Sequence, residues 1–143
     1  IYDAVRTIRS VREQVQSVAS HAKEAGYKNP AVQNLSDTIA LRLTKVEETL
    51  IQVKNESFQD PLNFPPKLKS QYAFLYNYVN SPSSTLRGPI PPSKGAYERL
   101  EELNAEWKKI RAQLHRILNT EVMRFNEKIR KIGDPVFVPK KKH

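Results

Sequence analysis

Of the residues that could act in acid–base catalysis, four glutamates near the start of the last predicted helix have the most suitable spacing. They lie three or four residues apart, so a helix would bring their carboxylates onto adjoining faces, where one could act as general acid and another as general base. The same spacing is typical of a solvated acidic rim that complements the helix dipole. We predict the rim and no catalytic residues. The four are Glu98, Glu101, Glu102 and Glu106.

The sequence has few residues suited to metal binding or nucleophilic catalysis. The sequence has no cysteine, which excludes disulfides, thiolate zinc sites and cysteine nucleophiles. Neither His21 nor His115 follows a glutamate by three residues, as the Glu-x-x-His pairs of di-metal bundles require. The sequence also has no phosphate-binding glycine loop, nucleophile elbow or HExxH motif. We expect no enzyme, no metal and no cofactor.

The elements that must position these residues are helices. Apolar residues recur at intervals of three and four in four segments, which predicts an all-α, up-down antiparallel bundle of three long helices and one shorter helix. Two Pro-rich loops flank the shorter helix. We expect the bundle over residues 1–133 and a basic tail over 134–143. The predicted helices are 3–26, 31–55, 65–79 and 93–131.

Individual residues mark the helix ends. Gly26 stands where a left-handed C-cap needs no side chain, and Asn29-Pro30 is typical of a chain restarting into a new helix. Ser93 is the predicted N-cap of the last helix. That helix would be about 58 Å long at 1.5 Å per residue, so we expect an overhang or a bend near residues 119–120.

The aromatic residues divide into two groups. Tyr72, Tyr97 and Trp107 follow the apolar stripes of their helices, which predicts a place in the core. A second group lies partly off its stripe and is compatible either with the core or with an exposed aromatic patch. This candidate interaction surface consists of Phe74, Tyr76 and Tyr78.

The positive charge suggests a second class of function. The chain has 24 Lys+Arg against 15 Asp+Glu, a formal charge of +9, and residues 123–143 contain seven basic and two acidic side chains. Such an end can bind phosphates by counterion release. No aromatic or glycine pattern of a nucleic-acid fold accompanies it, which argues against nucleic acid as the partner. The alternative function is a basic helical module that binds nucleic acid or an anionic surface through this C-terminal end.

The stretch IQVKNESFQDPLNFPPKLKSQYAFL, residues 51–75, has the core QVKN-x-S-x-QDPLNFP-x-KL. It resembles the C-terminal helical region of large bacterial secreted proteins built on BNR-repeat or sortilin-like β-propellers, often labelled glycosyl hydrolases. The resemblance extends to the VEETL run at 46–50 and to YERLEELNAEW at 97–107, about two-thirds of the chain.

The resemblance implies a non-catalytic accessory or interaction domain at the C-terminus of an exported protein located in the periplasm, at the cell surface or outside the cell. Its partner would be the preceding β-propeller of the same parent protein, or another protein, and any hydrolase residues would lie in that propeller. Because the sequence begins with Ile1, we expect a piece of a longer chain. No apolar run approaches the length of a membrane span.

The QDPLNFP motif is predicted to be a structural anchor rather than a ligand site. Its polar side chains can satisfy backbone N–H groups, and its apolar side chains can fix the loop in the bundle. Phe64→Ala should therefore cost about 3–5 kcal/mol, and Leu86→Ala in the second loop much less. The motif residues are Asn55, Gln59, Asp60, Pro61, Leu62, Asn63, Phe64 and Pro65.

Overall fold

A computed structural model describes residues 1–53, 65–80 and 91–130. All regular structure in these ranges is helical, so the predicted fold class, an all-α helical bundle, is confirmed. The helices are α1 (Tyr2–Glu24), α2 (Pro30–Leu50), α3 (Leu68–Asn80), α4 (Lys94–Arg116) and α5 (Val122–Ile129), with a π-helical turn at Ile117–Glu121 between the last two. The predicted tail boundary at 133 and the 134–143 tail lie outside the described residues.

The chain separates into two compact units. The first contains Ile1–Glu47 and the described residues from Ala112 onward, and the second contains the described residues of Glu48–Arg111. Each unit contains buried apolar positions, as helices with one apolar stripe require. In the first unit they include Ile8, Val11, Val15, Ile39, Leu43, Val46, Val122, Phe125 and Ile129, and in the second Leu50, Leu68 and Leu103.

In the first unit, α1 and α2 form the predicted antiparallel hairpin. Side chains early in α2 reach the end of α1, because Gln33 donates to the Ala19 carbonyl at 2.8 Å. Late in α2, Glu47 accepts a hydrogen bond from Arg9 near the start of α1. Bonds at both ends of the pair fix its register.

The predicted helix-end signals of this hairpin are confirmed. Gly26 has φ +87°, its N–H donates to the Lys23 carbonyl, and the next N–H, that of Tyr27, donates to Ala22. This is the Schellman arrangement, which favours glycine at the left-handed position. Asn29 then caps α2, accepting at Oδ1 from the Ala31 N–H at 2.9 Å.

Two predicted helix bounds are wrong. The second helix ends at Leu50 rather than at residue 55, and Val53 lies exposed beyond the end of its stripe. The third helix begins at Leu68 rather than at residue 65, since a residue that precedes proline, as Pro65 precedes Pro66, is disfavoured in the α region. Lys67 is therefore the residue whose carbonyl accepts the first helical bond, from Gln71.

The last long helix is interrupted where a bend or overhang was expected. The Val122 N–H donates to the Ile117 carbonyl five residues back, which defines a π turn across Asn119 and Thr120. A π turn contains one more residue than an α turn, so it shifts the buried stripe. Ile117 and Glu121 before the shift are buried, and so is Phe125 after it.

Candidate interaction surface

Helix α3 holds the three aromatic residues of the candidate surface. Ser93 and the α4 residues that follow it lie beside α3 in the same unit, and Ser93 caps α4 by accepting at Oγ from the Ala96 N–H at 3.3 Å. The exposed fractions of Phe74, Tyr76 and Tyr78 are 77%, 68% and 59%. The sequence left open whether these side chains lie in the core or on the surface, and the structure shows that they are exposed.

The helix divides the three residues between two flanks. Residues four apart share a face, so Phe74 and Tyr78 lie together, whereas Tyr76 is about 200° around the helix axis from Phe74. Tyr76 accordingly lines a groove between α3 and α4, and the other two do not. The structure thus contains an aromatic groove with Tyr76 in its wall and a separate Phe74–Tyr78 pair.

The aromatic groove has a volume of about 280 Å³ and an almost entirely apolar lining. The α3 side chains include Tyr72, Leu75, Tyr76 and Val79, and the facing residues include Ala96, Tyr97 and Leu100. Val79 at the end of α3 and Ala96 at the start of α4 line the same groove, while Tyr72 early in α3 bonds to Asn104 farther along α4, so the two helices run antiparallel. The groove is an open apolar cleft rather than a closed core.

Tyr97 was predicted to be a core residue, and that prediction is wrong. Its exposed fraction is 56%, and the neighbouring Ala96 is buried in its place. Residues Ala96, Leu103 and Ile110 repeat at intervals of seven and form the buried stripe of α4, which leaves Tyr97 on the flank. Tyr72 and Trp107, the other two predicted core aromatics, are half-buried.

Hydrogen bonds hold the groove wall in place. The Tyr72 hydroxyl donates to Asn104 Oδ1 at 2.7 Å, which ties α3 to α4. Burial, with a further contribution from the negative charge of Glu106, raises the pKa of Tyr72 above its ordinary value of 10.0. Its hydroxyl therefore remains a proton donor at physiological pH. Arg99 adds a second link by donating to Gln71 Oε1.

The four glutamates of α4 form the expected solvated rim. All are exposed, and two of them pair with basic side chains of the same helix. Lys94 Nζ lies 3.4 Å from Glu98, and Arg99 lies 2.6 Å from Glu102. Within residues 1–53, 65–80 and 91–130, no three His, Cys, Asp or Glu side chains come together as a metal site would need.

The QDPLNFP motif falls almost wholly outside the described residues. Asn55, Gln59 and the motif positions from 60 to 64 belong to the undescribed range 54–64, so their predicted anchoring role stays a prediction. Pro65 is described and exposed, and its carbonyl accepts a bond from Gln52 Nε2 at 3.5 Å.

Sequence reasoning missed two buried carboxylates, Glu47 and Glu121. Each occupies a position on an apolar stripe, Glu47 between Leu43 and Leu50 and Glu121 between Ile117 and Phe125. A charged residue at a core position is the signal that could have found them, because such residues are rarely buried without a partner. Their partners are arginines: Arg9 and Arg12 for Glu47, and Arg42 for Glu121.

Comparison of the chain with protein-family models, with curated proteins and with solved structures finds no match in any of the three. In the part of the chain that the structure describes, no helix has both the length and the apolar character needed to cross a membrane.

Proposed function

We propose that this chain is a non-catalytic accessory or interaction domain that serves at the C-terminus of an exported β-propeller protein of the glycosyl hydrolase-like or sortilin-like type. The observation that carries the interaction role is the concentration of exposed aromatic side chains on α3. Phe74 and Tyr76 expose most of their surface on opposite flanks of one short helix. On each flank the exposed ring has an apolar neighbour, Tyr78 beside Phe74 and the groove lining beside Tyr76, and exposed apolar surface of this kind is characteristic of interaction sites.

The residue types support the same role. Tyrosine and phenylalanine supply large contact areas at low entropic cost and are enriched in the energetic centres of protein interfaces. The Tyr72–Asn104 bond fixes the Tyr72 side chain in the groove wall before a partner arrives, which reduces the cost of ordering on binding. The link to a β-propeller and the exported location rest on the resemblance of residues 51–75 and its extension to residues 46–50 and 97–107.

A binding experiment with the parent propeller tests the proposal. The propeller encoded upstream of Ile1 and this chain are expressed separately, and their association is measured by isothermal titration calorimetry. Phe74→Ser/Tyr76→Ser should weaken binding by about tenfold or more, because a buried aromatic anchor contributes about 2 kcal/mol. Tyr2→Ser is the matched control, since Tyr2 is equally exposed but lies on α1 in the other unit.

Two results would contradict the proposal. Coding sequence upstream of Ile1 that lacks both a signal peptide and propeller repeats would remove the parent architecture and the exported location. Hydrolysis of glycosides by the isolated chain, abolished by one carboxylate substitution, would show that the domain is catalytic.

A further inference from the structure

The first unit contains a second groove, between α2 and α5, with a different chemical character. Its volume is about 660 Å³. Arg42 late in α2 pairs with Glu121 just before α5, while Ala31 early in α2 and Lys128 late in α5 line the groove, so the two walls run antiparallel. The lining residues are Ala31, Asn34, Leu35, Thr38, Arg124, Glu127 and Lys128.

Two cations in this groove have no anionic partner among residues 1–53, 65–80 and 91–130. Arg124 and Lys128 are exposed, and neither forms an ion pair with any residue in the described ranges. They lie four residues apart on one helix face, about 6 Å along the axis. Glu127 lines the same groove, so cations outnumber carboxylates by two to one there.

The opposite wall is chemically mixed. Ala31 and the half-buried Leu35 contribute apolar surface, and Asn34 contributes an exposed amide. A nucleic-acid backbone has no apolar side chain to pack against this surface, and its regularly spaced negative charges would be repelled by Glu127. A peptide can place carboxylates opposite the two cations, an apolar side chain against Leu35 and an uncharged residue opposite Glu127.

From this charge complementarity we propose that the α2–α5 groove binds an acidic segment of a protein partner in which carboxylates alternate with apolar side chains. Arg124 and Lys128 bind the carboxylates, and Ala31 with Leu35 contacts the apolar side chains. The proposal goes beyond the interaction role of α3, because it concerns the other unit and a partner of defined charge. It does not depend on a β-propeller parent.

Fluorescence anisotropy tests the proposal with a labelled peptide built from glutamate and leucine, with leucines at i, i+4 spacing. We expect saturable binding that weakens as salt is raised, since exposed charge pairs are screened. Arg124→Glu/Lys128→Glu should weaken binding by roughly tenfold or more, as charge reversal places like charges together. Arg6→Glu/Lys23→Glu is the control with the same change in net charge on α1, and it should have little effect. Circular dichroism confirms that both variants fold.

Four outcomes would overturn the proposal. The first is no binding at low salt, and the second is an equal loss in the α1 control, which would mean attraction by net charge alone. The third is equal affinity for polyglutamate of the same length, which would show that the apolar wall contributes nothing. The fourth is tighter binding to duplex DNA than to the peptide, which would assign the groove to the nucleic-acid alternative. None of these outcomes affects the Phe74/Tyr76 experiment.

Discussion

Arg12 Nη1 on α1 donates to Glu47 Oε2 on α2 at 2.7 Å, and the Glu47 side chain is only 5% exposed. Arg9 donates to the other carboxylate oxygen at 2.5 Å, and Arg12 also donates to Thr44 Oγ1 at 3.0 Å. One buried carboxylate is thus held by two cations from the neighbouring helix. Because a shift of either helix would leave that carboxylate unpaired, this cluster specifies the register of the α1–α2 hairpin.

Removing the carboxylate of the Glu47 cluster should cost less stability than removing its two arginines. Glu47→Gln should lower the free energy of unfolding by about 1–3 kcal/mol, because Arg9 and Arg12 can still reach water. Arg9→Gln/Arg12→Gln should cost more, about 3–5 kcal/mol, because it leaves a buried charge without a partner. Urea unfolding followed by circular dichroism measures both.

A triple variant checks the cause of this asymmetry. Adding Glu47→Gln to the double arginine variant should recover part of the lost stability, since the unpaired charge is then gone. If the triple variant is less stable than the double variant, the buried charge is not the source of the loss. Lys94→Gln, which removes an exposed pair with Glu98, should change stability by less than about 1 kcal/mol.

The same cluster predicts a dependence on pH. Burial raises the pKa of Glu47, but the hydrogen bonds and charges of Arg9 and Arg12 outweigh it and hold the pKa below the ordinary value of 4.5. A lowered folded-state pKa contributes stability above the unfolded-state value, and the contribution is lost as the pH falls through the folded-state value. The stability difference between wild type and Glu47→Gln should therefore shrink as the pH falls below the ordinary value of 4.5. A difference that grows on acidification would contradict the assignment.

Removing the charge of Glu121 should raise the free energy of unfolding, whereas removing that of Glu47 should lower it. The Oε2 atom of Glu121 is buried without a hydrogen-bond partner among the described residues, whereas its Arg42 partner is about half exposed. Removing one partner of a buried ion pair is costly when the other charge stays buried, but the half-exposed Arg42 can turn to water, so an apolar side chain of similar size at position 121 avoids that cost. Glu121→Met should raise the free energy of unfolding by about 1 kcal/mol, while Glu47→Met should lower it. Thermal melts of the two variants provide the comparison.

Two glycines should react oppositely to the same substitution. Gly26→Ala should destabilise the protein by about 1 kcal/mol, because φ +87° is unfavourable for a residue with a Cβ, although no atom of the described residues lies within 4 Å of the added Cβ. Gly95 lies in the first turn of α4, where an added Cβ would meet only Ser93 Oγ at 4.0 Å. Gly95→Ala should therefore stabilise by about 0.5–1 kcal/mol. Equal effects in chemical denaturation would contradict the left-handed assignment.

Substitutions at two phenylalanines test which positions belong to the core and which to the surface. Phe125 is fully buried on α5, so Phe125→Ala should cost about 3–5 kcal/mol. Phe74 is largely exposed, and Phe74→Ala should change stability by less than about 0.5 kcal/mol. A large loss for Phe74→Ala in a urea melt would mean that this residue packs in the fold and would remove it from the interaction surface.

Local patterns in the sequence were sufficient for the elements that depend on local physics. The 3.6-residue periodicity predicted each helix, and Gly26, Asn29 and Ser93 predicted helix ends because a cap is a bond between neighbours in sequence. The acidic rim of α4 was predictable for the same reason, since its pairs are three or four residues apart. Helix length indicated an overhang or a bend near residues 119–120, where the π turn lies.

Only the tertiary structure decided which side chains meet across elements. Tyr97 and Ala96 are neighbours in sequence and both line the groove that faces α3, yet Ala96 is buried and Tyr97 is exposed, so the stripe alone predicted the wrong one. The pairing of Glu47 with Arg9 and Arg12 joins residues 38 and 35 positions apart. Periodicity reports which face of a helix is apolar, but the partner of a buried charge and the walls of a groove depend on the rotation and offset of the packed helices.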